Sequence, residues 1–244
     1  MHKALKAKKI FILSSVALFV ILLFGGVFSE LGLVSNPPDW APNLFMIFGS
    51  ILIIIFSKKK LAYILILCGI IGFFYEVAGV HLGFLFGSYD YTDVFSLKLF
   101  SVPIVMTCAW IIVLTFTLSL IQDLPKTYSF IVGALVMVVV DLLIDPVAVH
   151  GLEIWKWDSE GIYYDIPFHN FLGWFFLSIP LIILFSFFEY KINKISQIIS
   201  SSILTFFVII GLINEIFLAS LIGIIIIVFN TTLSYRRNKK NQLI

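Results

Sequence analysis

YSFIVGALVMVVVDLLIDP, residues 128–146, is the stretch whose reading decides how this chain folds. It is apolar for nearly the ~20 residues that a helix needs to cross the hydrocarbon of a bilayer. Near its end it carries two acids, Asp141 and Asp145. A third acid, Glu76, sits in the same way inside the apolar run 61–80. A charged carboxylate within a bilayer costs about 2–3 kcal/mol or more, so such acids are usually paired or functional. Their presence here points to proton chemistry.

The rest of the chain fits the same class. Of its 244 residues 61% are hydrophobic and 12% charged, and the mean hydropathy is +1.10, which describes a multi-span membrane protein. We expect an all-α, polytopic helical protein forming a single integral membrane domain over residues 1–244, multi-pass in the cell membrane, with no nucleic-acid partner. Cys68 and Cys108 both lie in apolar runs and read as small core residues rather than a disulfide or a metal knuckle.

Apolar runs of helical length cover residues 10–28, 40–56, 61–80, 101–121, 128–145 and 170–189. A last run, 198–229, is broken by Asn214-Glu215 and reads as a tight hairpin, giving eight spans, or seven if it stays one helix. If the first span enters from the cytoplasm, the inner segments carry Lys3, Lys6, Lys8, Lys9, Lys58, Lys59, Lys60, Lys126, Lys191, Lys194, Arg236, Arg237, Lys239 and Lys240. That is 14 of the 16 basic residues, with Lys98 and Lys156 outside. Both termini are then cytoplasmic, which needs an even number of spans. The first run is too long for the apolar core of a signal peptide, and is read as an uncleaved span.

This topology brings the acids to one depth, the outer half of the bilayer. Asp141 and Asp145, at i and i+4, share a helix face. Two outer loops close over them: residues 81–100, with His81, Tyr89, Asp90, Tyr91 and Asp93, and residues 146–169, with His150, Trp155, Trp157, Tyr163, Tyr164 and His169. Asn170 opens the sixth span at the same level. The aromatics equally fit an interfacial belt. Asp145, followed by Pro146, fits a helix end meeting water, and Glu215 a solvated loop acid. Asp141 and Glu76 have no such reading, because no span supplies a basic partner.

Acids without a cation beside them in an apolar setting are expected to hold protons, and two on one helix face cannot easily ionise together. A protonated acid there is a general acid: it protonates an electron-rich alkene, aromatic faces stabilise the tertiary cation, and water captures it. Four histidines in all are too few for a di-iron hydroxylase. Asp141-Leu-Leu-Ile-Asp145 lacks the doubled acid that would hold magnesium against a diphosphate. Nucleotide, metalloprotease and serine-hydrolase signatures are missing. No metal and no cofactor is expected.

Two blocks carry a resemblance. One is Phe73-Phe74-Tyr75-Glu76-Val77-Ala78-Gly79-Val80 with Gly83, Phe86-Gly87, Tyr89 and Tyr91-Thr92-Asp93. The other runs from Asp141 through Asp145-Pro146-Val147-Ala148-Val149-His150 to Trp155, Trp157, Gly161, Tyr163-Tyr164, Ile166-Pro167, Asn170-Phe171 and Gly173-Trp174. With Val102-Pro103 and Trp110 they resemble the carotenoid biosynthesis family of integral membrane proteins, which includes carotenoid 1,2-hydratases and bisanhydrobacterioruberin hydratases. The resemblance is legible over about residues 70–180. It implies cofactor-independent addition of water to the terminal double bond of an acyclic carotenoid end group. It also implies a catalytic set of Glu76, Asp141 and Asp145, since these match acidic positions of the family pattern. Tyr89, Tyr91, Trp155, Trp157, Tyr163, Tyr164 and Asn170 are the expected substrate-binding residues, and a carotenoid or other isoprenoid lipid the expected partner. Two other readings use the same acids: an acid-driven isoprenoid cyclase or isomerase, and a proton-coupled lipid or small-molecule carrier.

Overall fold

The computed structural model describes residues 2–83 and 86–242. Eight helices stand among the described residues: α1 (His2–Glu30), α2 (Ala41–Phe56), α3 (Lys59–Leu82), α4 (Met106–Ile121), α5 (Lys126–His150), α6 (Phe168–Ser186), α7 (Lys194–Ile213) and α8 (Phe217–Gln242). Six of them, α1, α3, α5, α6, α7 and α8, are long and apolar enough to cross a membrane. α2 and α4 are apolar but only 16 residues long. The chain is a multi-pass membrane protein. The side chains of Lys3, Lys6, Lys8, Lys9 and Lys240 lie outside the described residues.

α4 is the central rod. Every residue from Trp110 to Ile121 is buried, and α2, α3, α5 and α7 pack around it. It begins at Met106 rather than at residue 101. The preceding residues instead form a small hairpin, β2 (Lys98–Leu99) against β3 (Val102–Pro103). Phe100 and Ser101 make its two-residue turn with φ of 51° and 62°, the backbone that the twist of tight hairpins favours.

α5 corrects a second boundary. Its helix does not stop at Asp145 but runs through Pro146 to His150, so Asp145 is buried and does not end the helix in water. Proline has no N–H to give the carbonyl four residues back, that of Leu142. The Tyr163 hydroxyl replaces it, donating to Leu142 O at 2.8 Å. Burial pushes the Tyr163 phenol up from its ordinary value, which keeps its proton available for that bond.

The apolar run 198–229 divides where expected. Asn214 ends α7 and Glu215 turns the chain with φ of 62°. α7 and α8 then pack antiparallel at small residues, Gly211 beside Ser220 and Gly223 beside Val208.

The two long loops are not irregular. Tyr89–Tyr91 (β1) pairs antiparallel with Trp155–Trp157 (β4), Tyr89 opposite Trp157 and Tyr91 opposite Trp155. Tyr-Asp-Tyr and Trp-Lys-Trp alternate aromatic with charged, and alternate strand residues point to opposite faces. The ribbon therefore turns its four aromatics to one side. That side faces the ends of α3, α5 and α6.

Candidate functional site

Glu76 lies in the last two turns of α3, Asp141 and Asp145 in the last three of α5, and Asn170 in the first of α6. All four are buried: Glu76 is 8% exposed, Asp141 and Asn170 2%, and Asp145 1%. All four line one cavity. The helix order thus brings the three expected acids together at one end of the bundle.

Each acid is held differently. Glu76 accepts three hydrogen bonds: from the Tyr89 hydroxyl at 2.5 Å and the Tyr91 hydroxyl at 3.0 Å, both on Oε2, and from Trp110 Nε1 at 3.0 Å on Oε1. Burial, and then the Glu76 carboxyl beside them, hold the phenols of Tyr89 and Tyr91 well above the usual phenol range, so both remain donors. Asp145 also accepts three bonds. Trp155 Nε1 reaches Oδ1 at 2.7 Å, Trp157 Nε1 reaches it at 3.3 Å, and the Asn170 amide donates to Oδ2 at 2.6 Å. The second hydrogen of that amide goes to Asp141 Oδ2 at 2.7 Å. Asn170 therefore clamps the i, i+4 pair. Among the described residues Asp141 accepts no other bond, so its Oδ1 is left without a donor on a residue that lines the cavity.

The cavity has two kinds of wall. At the acid end stand Tyr89, Tyr91, Trp155, Trp157, Trp110 and Trp174. Trp110 and Trp174 are stacked, with ring centroids 4.5 Å apart and planes 17° apart. Away from the acids the wall is apolar: Met46 on α2, Ile112 and Val113 on α4, and Ile203, Leu204 and Phe207 on α7. The arrangement suits a hydrocarbon body with one reactive end among the carboxyls. Among the described residues no three histidine, cysteine or acid side chains are grouped to hold one metal ion.

Of the residues expected to bind substrate, Tyr89, Tyr91, Trp155, Trp157 and Asn170 lie on the cavity wall. Tyr163 and Tyr164 do not: Tyr163 is the partner of Leu142 O, and the Tyr164 hydroxyl accepts the N–H of Leu218 at the start of α8. Both tie the second loop to the bundle. Trp110, Trp174 and the α2 and α7 residues belong to the wall without having been expected there. For Trp110 a signal exists in α3. Gly72 is one helical turn before Glu76, and a Cβ there would lie 2.2 Å from the Trp110 ring.

Gly72→Ala is accordingly expected to push Trp110 off Glu76. Trp174 stacked behind the ring blocks its retreat, so overpacking should cost about 1–3 kcal/mol. A thermal-unfolding midpoint below that of the parent chain, together with altered tryptophan fluorescence, is the check.

A family model described as carotenoid biosynthesis protein matches residues 42–231, most of the chain. The match reaches beyond residues 70–180 to take in α2, α7 and much of α8, and so the whole cavity wall. No curated protein and no solved structure matches. The chain belongs to the carotenoid biosynthesis protein family.

Proposed function

We propose that this member of the carotenoid biosynthesis family is a hydratase, adding water to the terminal double bond of an acyclic carotenoid end group without a cofactor. The observation that carries the reading is the unequal supply of donors to the acids. Glu76 and Asp145 each accept three hydrogen bonds, whereas Asp141, on the same cavity, accepts one and keeps an oxygen without a donor.

In this mechanism Asp141 delivers its proton to the CH carbon of the terminal (CH3)2C=CH group. The π electrons form the new C–H bond and leave a tertiary cation on the dimethyl carbon. The rings of Tyr91, Trp155 and Trp157 stabilise that cation through their faces. Water attacks, forming the C–O bond, and its surplus proton passes to Glu76 and returns through water to Asp141. The sum is one alkene plus one water giving one tertiary alcohol. Asp145, clamped to Asp141 by Asn170, positions the donor.

The membrane orientation follows the charge. The described basic residues from Lys58 to Lys60, with Lys126, Lys191, Lys194, Arg236, Arg237 and Lys239, stand at helix ends opposite the acids. By the positive-inside rule that end is cytoplasmic, both termini with it, and the eight helices cross as eight spans with the acid cavity in the outer half.

The test is pigment analysis by liquid chromatography and mass spectrometry in cells that accumulate an acyclic carotene and express the full chain. Hydration gives a more polar pigment heavier by one water. A cyclase or isomerase gives a new pigment of unchanged mass, and a carrier gives no new pigment; either result overturns the hydratase.

A further inference from the structure

At the opposite end of the bundle from the acids is a second cleft, between the ends of α2, α4, α7 and α8. Four cationic residues line it: Lys58 from the α2–α3 turn, Lys191 from the α6–α7 connection, Lys194 at the start of α7, and Arg237 from α8. They differ in what they do. Arg237 is committed, binding Asp123 and donating to the Ser119 and Leu120 carbonyls at the end of α4. It fixes α8 against the end of α4 and pairs with Asp123. The connection is fixed as well: Gln122 Oε1 accepts from Ile192 N at 3.0 Å, and Asn193 Nδ2 donates to Phe56 O at 2.8 Å. On this rigid frame the ammonium groups of Lys58, Lys191 and Lys194 make no hydrogen bond or ion pair with any described residue.

We propose that this cleft binds the phosphate of an anionic lipid head group. Lys58, Lys191 and Lys194 line one cleft from the α2–α3 turn, the α6–α7 connection and the start of α7, and supply the charge-assisted donors that a phosphate takes. The cleft opens at the ends of membrane-crossing helices, where head groups lie, and basic pockets between such helices are the kind of site that holds them. The N-terminus of α7, with no acid in its first turn, lies on the same wall and favours the same charge. The proposal is independent of the chemistry assigned to the acid cavity.

The test uses the purified full chain in detergent, titrated separately with phosphatidylglycerol, phosphatidylcholine and inorganic phosphate. The readouts are the thermal-unfolding midpoint and lipid retained in native mass spectrometry. Two variants accompany it: Lys58→Gln/Lys191→Gln/Lys194→Gln, and a charge-matched control, Lys59→Gln/Lys126→Gln/Lys239→Gln. None of the three cleft lysine side chains bonds to a described residue, so their replacement removes no hydrogen bond or ion pair among the described residues. Phosphatidylglycerol is expected to raise the midpoint and remain bound, phosphatidylcholine to do neither, and the cleft variant to lose apparent affinity roughly tenfold to a hundredfold while the control keeps it. Equal losses in both variants, or equal binding of phosphatidylcholine, would overturn the site. The same shift from inorganic phosphate alone would overturn the lipid as its source.

Discussion

Asp141→Asn is expected to abolish product formation while the protein still folds. Asparagine is nearly the shape of aspartic acid and its carbonyl can accept the Asn170 amide as Asp141 Oδ2 does at 2.7 Å, so the clamp on α6 survives. The group that is lost is, in the proposed mechanism, the carboxyl that protonates the alkene. General acid catalysis by one positioned side chain contributes roughly 10²–10⁴-fold, so in a cell-based pigment assay the hydrated product should fall below detection. A midpoint of unfolding close to that of the parent chain, measured on the same preparation, shows that chemistry and not folding was removed. Parent-like yield of hydrated pigment from Asp141→Asn would remove the acid from the mechanism.

The limits of what the sequence displays have physical causes. The acids are legible because a carboxyl in an apolar run is costly enough to stand out. Their convergence is legible too, since successive membrane-crossing helices alternate in direction. The aromatic ribbon was half visible: Tyr-Asp-Tyr and Trp-Lys-Trp each have the period of a strand with one buried face, but at three residues each they are too short to be distinguished from loop before the partner is known. The rest of the cavity left no trace. Met46, Ile203, Leu204 and Phe207 are apolar residues on apolar helices, and in a membrane the lipid-facing side is as apolar as the interior, so no period separates the wall of a cavity from the surface of the bundle. The sequence does not show that Tyr163 and Tyr164 lie off the cavity wall, for the converse reason. Their position beside the site in the chain suggests the pocket, while the demand they satisfy, the carbonyl that Pro146 leaves bare and the N–H at the start of α8, appears only in three dimensions.

Glu76→Gln should give a different failure from Asp141→Asn, and the difference separates the two roles. The glutamine carbonyl can keep the Trp110 N–H that reaches Glu76 Oε1 at 3.0 Å, and the Tyr89 and Tyr91 hydroxyls can rotate to accept from its amide, so the pocket remains built. What disappears, in the proposed mechanism, is the group that takes the proton from the attacking water. Protonation of the alkene by Asp141 still proceeds, but the cation is then captured less well, and its easier exit is loss of a neighbouring proton to give an isomeric alkene. The expected result is a fall in hydrated pigment of roughly 10²-fold or more, accompanied by an isomer of unchanged mass, where Asp141→Asn yields neither. Chromatography of both variants against the parent reads this directly. If Glu76→Gln behaved as Asp141→Asn does, with no isomer at all, Glu76 would act before the cation forms, and the assignment of water activation to it would fail. The three-donor cage around Glu76 would then serve to fix the shape of the pocket against α4, and the proton taken from water would have to leave by Asp145.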